Sequence, residues 1–274
     1  MNLRGHRFSG TVTLVGILFL WAPLVMVAVN SLNEDILLAR WAGVTFRWYH
    51  EAVNSQDVRE GLRSTMAIAV GSTVLSLVIA VSGALWWRRA SPRGQRLFDL
   101  MTYLRIILPE VVFAVALFLL FTRFDLPLGL AAVVIGHTVW NSAYATLIVQ
   151  ARLSALDPAL EDAAADLGAA TPGVFWRVTV PGLLPAILAA GLLAFTFSFD
   201  DVVTSYFMAG SEIASPLPIV ILSMIRQRIS PEINAIGILV MLFTVTMMAV
   251  GTMVILRAAR AGRSVRLAAG GRTR

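Results

Sequence analysis

Asp157-Pro158-Ala159-Leu160-Glu161-Asp162-Ala163-Ala164-Ala165-Asp166-Leu167-Gly168-Ala169 is followed, nine residues on, by Val178-Thr179-Val180-Pro181. The first part spells a short helix with both ends marked. Asp157 supplies a side-chain acceptor at the start, and Pro158 takes the first helical position, where its missing N–H costs nothing. Glu161 and Asp162 sit near the positive end of the helix dipole. The alanines continue the helix, and Gly168 can end it in the left-handed conformation. A second amphipathic piece, Val174-Phe175-Trp176-Arg177-Val178, leads to Val180-Pro181. The stretch reads as a short helix lying outside a bilayer, with a reversal behind it.

Its surroundings are apolar. The chain has 274 residues, 58% of them apolar and 14% charged, with a mean hydropathy of +0.78. Soluble domains run near ~45–50% apolar and ~25% charged. A water-facing globule and a disordered chain are both excluded. Charge-free runs of roughly 20 residues mark bilayer spans. They predict six transmembrane helices in an all-α membrane protein, at about 11–29, 64–87, 104–121, 128–149, 183–200 and 234–256. The third is short and carries Glu110. Leu217–Ile225 is apolar but too short to cross. The first span starts like a signal peptide but is too long and lacks a small-residue cleavage site, so it is expected to stay.

Arginine placement sets the orientation, because cytoplasmic flanks hold the basic excess. Arg4, Arg7, Arg88, Arg89, Arg93, Arg96, Arg105, Arg152, Arg177 and the run from Arg257 to Arg274 fall on one side. Arg40, Arg47, Arg59, Arg63, Arg123, Arg226 and Arg228 fall on the other. Both termini are therefore expected in the cytoplasm. The net charge of +6 is thus an orientation signal, and no nucleic-acid partner is expected. The Arg/Gly-rich tail 257–274 is expected to fray. Trp41, Trp48 and Tyr49, in the long loop after the first span, read as interfacial anchors.

Absences exclude further classes. With no cysteine and no lysine, the chain can hold no disulfide, no thiolate metal site and no Walker A loop. His6 and His50 form no metal spacing with any carboxylate, and no nucleophile or metallohydrolase motif appears. An enzyme is not expected, nor any cofactor or metal on this chain.

The marked loop resembles the cytoplasmic "EAA" loop of permease subunits in bacterial ABC importers. The family pattern of Glu-Ala-Ala, Gly and Ile-x-Leu-Pro falls on Asp162-Ala163-Ala164, Gly168 and Val178-Thr179-Val180-Pro181. Asp162 stands where Glu is usual, with Glu161 beside it, and Val180 replaces Leu. The run Phe197-Ser198-Phe199-Asp200-Asp201-Val202-Val203-Thr204-Ser205-Tyr206-Phe207 looks like the spermidine/putrescine branch. So do Ser230-Pro231-Glu232-Ile233-Asn234-Ala235 and Ser31-Leu32-Asn33. The resemblance implies a type I importer permease fold in the bacterial plasma membrane, as a single domain over 1–274. It implies a coupling helix at about 157–169, with Glu161, Asp162, Ala163, Ala164, Asp166, Leu167, Gly168, Ala169 and Pro181 meeting the ATPase. Two ATPase subunits would bind ATP and Mg. A second, homologous permease (a heterodimer partner) and an external solute-binding protein would complete the machine.

Polar residues within the spans suggest the solute. Glu110 after Pro109 reads equally as a pathway carboxylate for a cation and as an inner-mouth acid paired with Arg105. Asp200-Asp201 closes the fifth span, either attracting ammonium groups or reaching water and pairing with Arg226 or Arg228. His137 and Asn141 share a helix face, where interhelical hydrogen bonding is the commoner role. Trp140 beside them and Tyr206 join Glu110, Asp200 and Asp201 as the candidate pathway set. The expected function is ATP-driven import of polyamines or related organic cations by alternating access. The alternatives are another small organic solute, or a stand-alone six-span channel or secondary transporter.

Overall fold

In the computed structural model the chain is almost wholly helical, and the described residues are 3–210, 215–227 and 229–270. Arg228, Arg272 and Arg274 of the charge reading lie outside them. The helices are α1 (Leu3–Asn30), α2 (Arg47–Asn54), α3 (Gln56–Arg89), α4 (Pro92–Ile107), α5 (Glu110–Arg123) and α6 (Leu130–Ser154). There follow α7 (Ala159–Asp166), α8 (Thr171–Val174), a π-helical turn at Phe175–Thr179, α9 (Val180–Asp200), α10 (Val203–Met208), α11 (Leu217–Gln227) and α12 (Pro231–Gly270). Among the described residues, five helical runs are long and apolar enough to cross a bilayer, and the bent pair α4–α5 makes a sixth.

That pair covers the third span expected at 104–121, which begins earlier than expected and is broken, not merely kinked, at Pro109. The chain turns by 104° between α4 and α5. Pro109 offers no N–H to the helix, and its ring pushes Leu108 out of helical geometry; Leu108 is extended, with ψ of 128°. The backbone stays helical through Gly270, because Ala, Arg and Leu outweigh single glycines in helix preference.

The chain divides into two compact units, Met1–Glu60 with Val220–Val245, and Gly61–Ile219 with Thr246–Arg274. In the first, α1 buries none of its residues over Thr11–Asn30. The following loop is tied down rather than loose. Trp48 is 2% exposed and donates its indole N–H to the Asn33 carbonyl at 2.7 Å. The Tyr49 hydroxyl meets Ser31 Oγ at 2.6 Å. Asn33 accepts from the Asp35 and Ala42 backbone N–H groups and donates to the Arg40 carbonyl. Trp48 and Tyr49 therefore help to organise the loop, whereas Trp41 stays half exposed. The reason is reach: a buried indole needs an acceptor for its N–H, and a short antiparallel bridge between Asn33 and Val44 brings the Asn33 carbonyl within its range.

In the second unit, α3, α6 and α9 share a core of Ala80, Ala84, Ala145, Val149, Leu153, Leu183 and Ala190. Small side chains let backbones approach, which is how helices associate where lipid supplies no hydrophobic drive. Ile68, Phe121, Ala132, Val133 and Met208 form a second cluster joining α3, α5, α6 and α10. Gly136 of α6 marks the closest approach there. A Cβ at that position would lie 2.6 Å from Thr204 Cγ2, so only glycine lets α10 rest on α6 as it does.

Candidate functional site

The marked loop folds into α7 with the local bonds that its sequence dictates. The Asp157 carboxylate accepts the Ala159 N–H at 3.0 Å. At the far end Gly168 adopts φ of +85°. The Gly168 and Ala169 N–H groups return to the Ala165 and Ala164 carbonyls, the paired bonds of a glycine-terminated helix. Nothing in α7 is buried. Leu160 is half exposed and Leu167 is 89% exposed; Asp162, Ala163 and Asp166 also face outward. Ala164 and Ala169 are partly covered. Pro181 stands in the first turn of α9, behind the π-helical turn, where it sets the start of that helix rather than lying on α7.

Glu161 is the exception on α7, because it faces inward. Arg88, in the last turn of α3, forks onto it: Nη2 to Oε2 at 2.8 Å and both terminal nitrogens to Oε1 at 3.1 Å. The Thr179 hydroxyl, from the π-helical turn, donates to the same Oε1 at 2.6 Å. One carboxylate thus ties the exposed helix to the end of α3 and to the entrance of α9. Burial raises the cost of charging Glu161, yet the Thr179 hydroxyl and the Arg88 and Arg89 guanidinium groups together hold its carboxyl below the usual carboxylate range. The tie is therefore intact above pH 4.5 and is lost only as pH falls below that value. Exposed ion pairs contribute roughly 0–1 kcal/mol, but this one is forked, shares a third donor and is about three-quarters shielded, at 27% and 23% exposure. Arg88 was not legible as part of this site, since beside a span it reads as an orientation signal. Thr179 lay within the quoted loop, but no spacing rule singles it out.

The second polar group lies where α5, α6, α9 and α10 meet. Asp201, in the break between α9 and α10, is buried. Its Oδ1 accepts the Ser205 N–H at 3.0 Å and lies 3.2 Å from His137 Nε2. The Glu110 carboxyl is within hydrogen-bonding reach of it. His137 Nδ1 meets Ser198 Oγ at 2.6 Å, and Ser72 donates to Ser198 at 2.9 Å. Asn141 donates to the Ala194 carbonyl at 3.1 Å. His137 and Asn141 thus make interhelical bonds, and the sequence-predicted acids Glu110 and Asp201 are brought together. Asp200 is not; it ends α9 on the exposed side. Tyr206 is 52% exposed, packed edge-on to Phe207.

Trp140 joins a different set. Its ring and that of Phe113 enclose the Arg105 guanidinium, whose carbon lies 3.8 Å and 3.9 Å from the two ring centres. Tyr144 packs against Trp140 at a tilt, and Phe197 meets Tyr144 edge-on. Arg105 therefore does not pair directly with Glu110 as the inner-mouth reading had it. The bend at Leu108-Pro109 carries Glu110 toward Asp201 and leaves the guanidinium between rings.

Comparison with known proteins gives the family and the fold. Residues 72–261 match the family model described as "Binding-protein-dependent transport system inner membrane component". Over 237 residues, 84% of each chain, the sequence is 32% identical to the putrescine transport system permease protein PotI of Escherichia coli K12. It is 27% identical over 236 residues to the spermidine/putrescine transport system permease protein PotC of Haemophilus influenzae, covering 86% of this chain and 91% of that one. Among solved structures, a chain of a bacterial ABC transporter that imports the acidic polysaccharide alginate superposes with a TM-score of 0.68 at 18% identity. That match covers 94% of this chain and 98% of the other, and it speaks to fold. A chain of the alginate transporter in complex with its periplasmic protein gives 0.67 at 15% identity, over 95% and 94% of the two chains.

Proposed function

The chain belongs to the family of binding-protein-dependent transport system inner membrane components, and from that premise we propose that it is a permease subunit of an ATP-driven polyamine importer. It forms one half of a translocation pathway in the inner membrane, beside a homologous second permease. A solute-binding protein delivers cargo from outside, and two ATPase subunits, which carry ATP and Mg, work at the α7 side. Both termini are then cytoplasmic, as the arginine distribution requires. The chain itself does no chemistry. Its task is to convert closure of the ATPases into a change of access between its spans.

The observation that carries this reading is the exposed α7 bound through Glu161 to α3 and to the start of α9. A helix with no buried side chain has no reason to stand out from the fold unless a partner covers it. Leu160 and Leu167 supply the apolar contact, and Asp162 and Asp166 the charge at its rim. In this reading Gly168 keeps the turn tight, and movement of α7 passes to α3 by way of Arg88 and to α9 through Thr179. A polyamine cargo is supported by the PotI and PotC relatives and by the two carboxylates, Glu110 and Asp201, that the fold places together.

Docking is tested by co-purification with a tagged ATPase subunit in mild detergent. Burying Leu167 at such a contact is worth roughly 1.5–3 kcal/mol, so Leu167→Asp is expected to cut recovery of the permease about tenfold or more. Because Leu167 is exposed in the chain itself, the spans should still assemble. Undiminished recovery would remove α7 from the ATPase contact.

A further inference from the structure

Arg105 sits in an unusual position for a charged side chain. Its guanidinium is held between the faces of Phe113 on α5 and Trp140 on α6. All three of its nitrogens are shut off from solvent, and none meets a hydrogen-bond acceptor among the described residues. A guanidinium carries five N–H donors, and leaving buried donors unmet costs free energy that stacking recovers only in part. Glu110 and Tyr144 act on it electrostatically, and Glu110 in turn faces Asp201. Two aromatic faces with carboxylates close by form a receptor for an organic cation. At present the occupant is the chain's own.

We propose that Phe113 and Trp140, with Glu110 and Asp201 beyond them, form a site for a primary ammonium group of the transported solute, and that Arg105 occupies it as a tethered stand-in which the solute displaces. The proposal rests on the cation-importer reading above and deepens it. Arg105 lies two residues before the end of α4, at the 104° break before α5. Its side chain can therefore leave the rings by a local change at the bend. An incoming ammonium is smaller than a guanidinium and can donate hydrogen bonds to the carboxylates that Arg105 does not reach. While Arg105 stays in place the site is filled, so the pathway offers no attractive resting place for stray cations. The strong competitor is a diamine at the high local concentration that a docked binding protein provides.

The test uses the complete transporter, purified with its partner subunits but without the binding protein, and measures affinity for two probes. Putrescine reads the transported solute; methylguanidinium mimics the excised head of Arg105 and reads the ring site alone. Removing the stand-in with Arg105→Gln is expected to tighten binding of both probes about tenfold. Adding Trp140→Leu to that variant should abolish the gain. Where Arg105→Gln fails to assemble, the uncharged Arg105→Met serves instead and should tighten both probes as Arg105→Gln does. Arg105→Lys tethers a primary ammonium in the same site, so it should give no gain for either probe. Unchanged or weaker binding of both probes in an assembled Arg105→Gln or Arg105→Met variant overturns the proposal and makes Arg105 a structural residue. Tighter methylguanidinium with unchanged putrescine upholds the cation site while sinking the polyamine assignment.

Discussion

Arg88→Glu is expected to lower solute uptake at least tenfold in reconstituted vesicles while ATP hydrolysis continues, and the exchange Arg88→Glu with Glu161→Arg should recover much of the loss. The single change sets two carboxylates against each other at a spot about three-quarters shielded from water. Removing one partner from a shielded ion pair costs more than the pair itself contributes, because the other charge is left unmet. Here the second charge belongs to α7, the helix proposed to meet the ATPase. With Glu161 repelled from the end of α3, α7 stays hinged only at its flanking turns, and ATPase closure moves it without moving the span. The expected signature is therefore a fallen ratio of transport to hydrolysis rather than a missing complex. The exchanged pair restores attraction between the same two elements, although the Thr179 hydroxyl bond to Oε1 is not recovered. Loss of the complex in both single and double variants would mean that the tie holds the fold together and transmits nothing.

The second large effect concerns Asp201. Asp201→Asn keeps an oxygen for the Ser205 N–H but removes the charge that faces His137 and Glu110. Assembly should survive, and uptake of a cationic solute should fall at least tenfold. Asp201→Ala should do worse. It strands the buried Ser205 N–H and leaves His137 Nε2 only the longer contact to Ser205 Oγ at 3.3 Å, a loss of roughly 1–3 kcal/mol by the usual cost of a stranded polar group, and less complex should be recovered. The neighbouring Asp200→Asn tests whether position or charge matters. Asp200 is exposed at the end of α9, and its loss should be felt several times less than that of Asp201. Equal effects from the two changes would return the pair to a simple attractive surface at the mouth.

These differences mark what could be read before the fold. The ends of α7 were legible because caps are local: Asp157 bonds two residues ahead, and Gly168 acts through its own backbone. The spans were legible because length and charge-free composition are one-dimensional properties. Arg88 was not, since its partner lies 73 residues away and only the packed fold brings them together. Arg105 and Glu110 are five apart in sequence and invite pairing. Pro109 defeats that expectation by turning the chain through 104°. Asp200 and Asp201 look equivalent in sequence, but α9 ends between them and turns one outward and one inward. Trp48 shows the same limit. An aromatic beside a span belongs in the interface on statistical grounds, and nothing in that reading shows the Asn33 carbonyl that takes its N–H.

The function proposed for this chain is to form one half of a polyamine importer driven through α7. It is tested most directly by ATP hydrolysis of the reconstituted complex, with its binding protein, across a panel of solutes that includes putrescine, spermidine, neutral amino acids and acidic saccharides. Putrescine or spermidine is expected to raise hydrolysis several-fold, with uptake in parallel, and neither rise should survive in the Leu167→Asp complex. Stimulation by a neutral or anionic solute alone, or uptake that persists without any ATPase subunit, would contradict it.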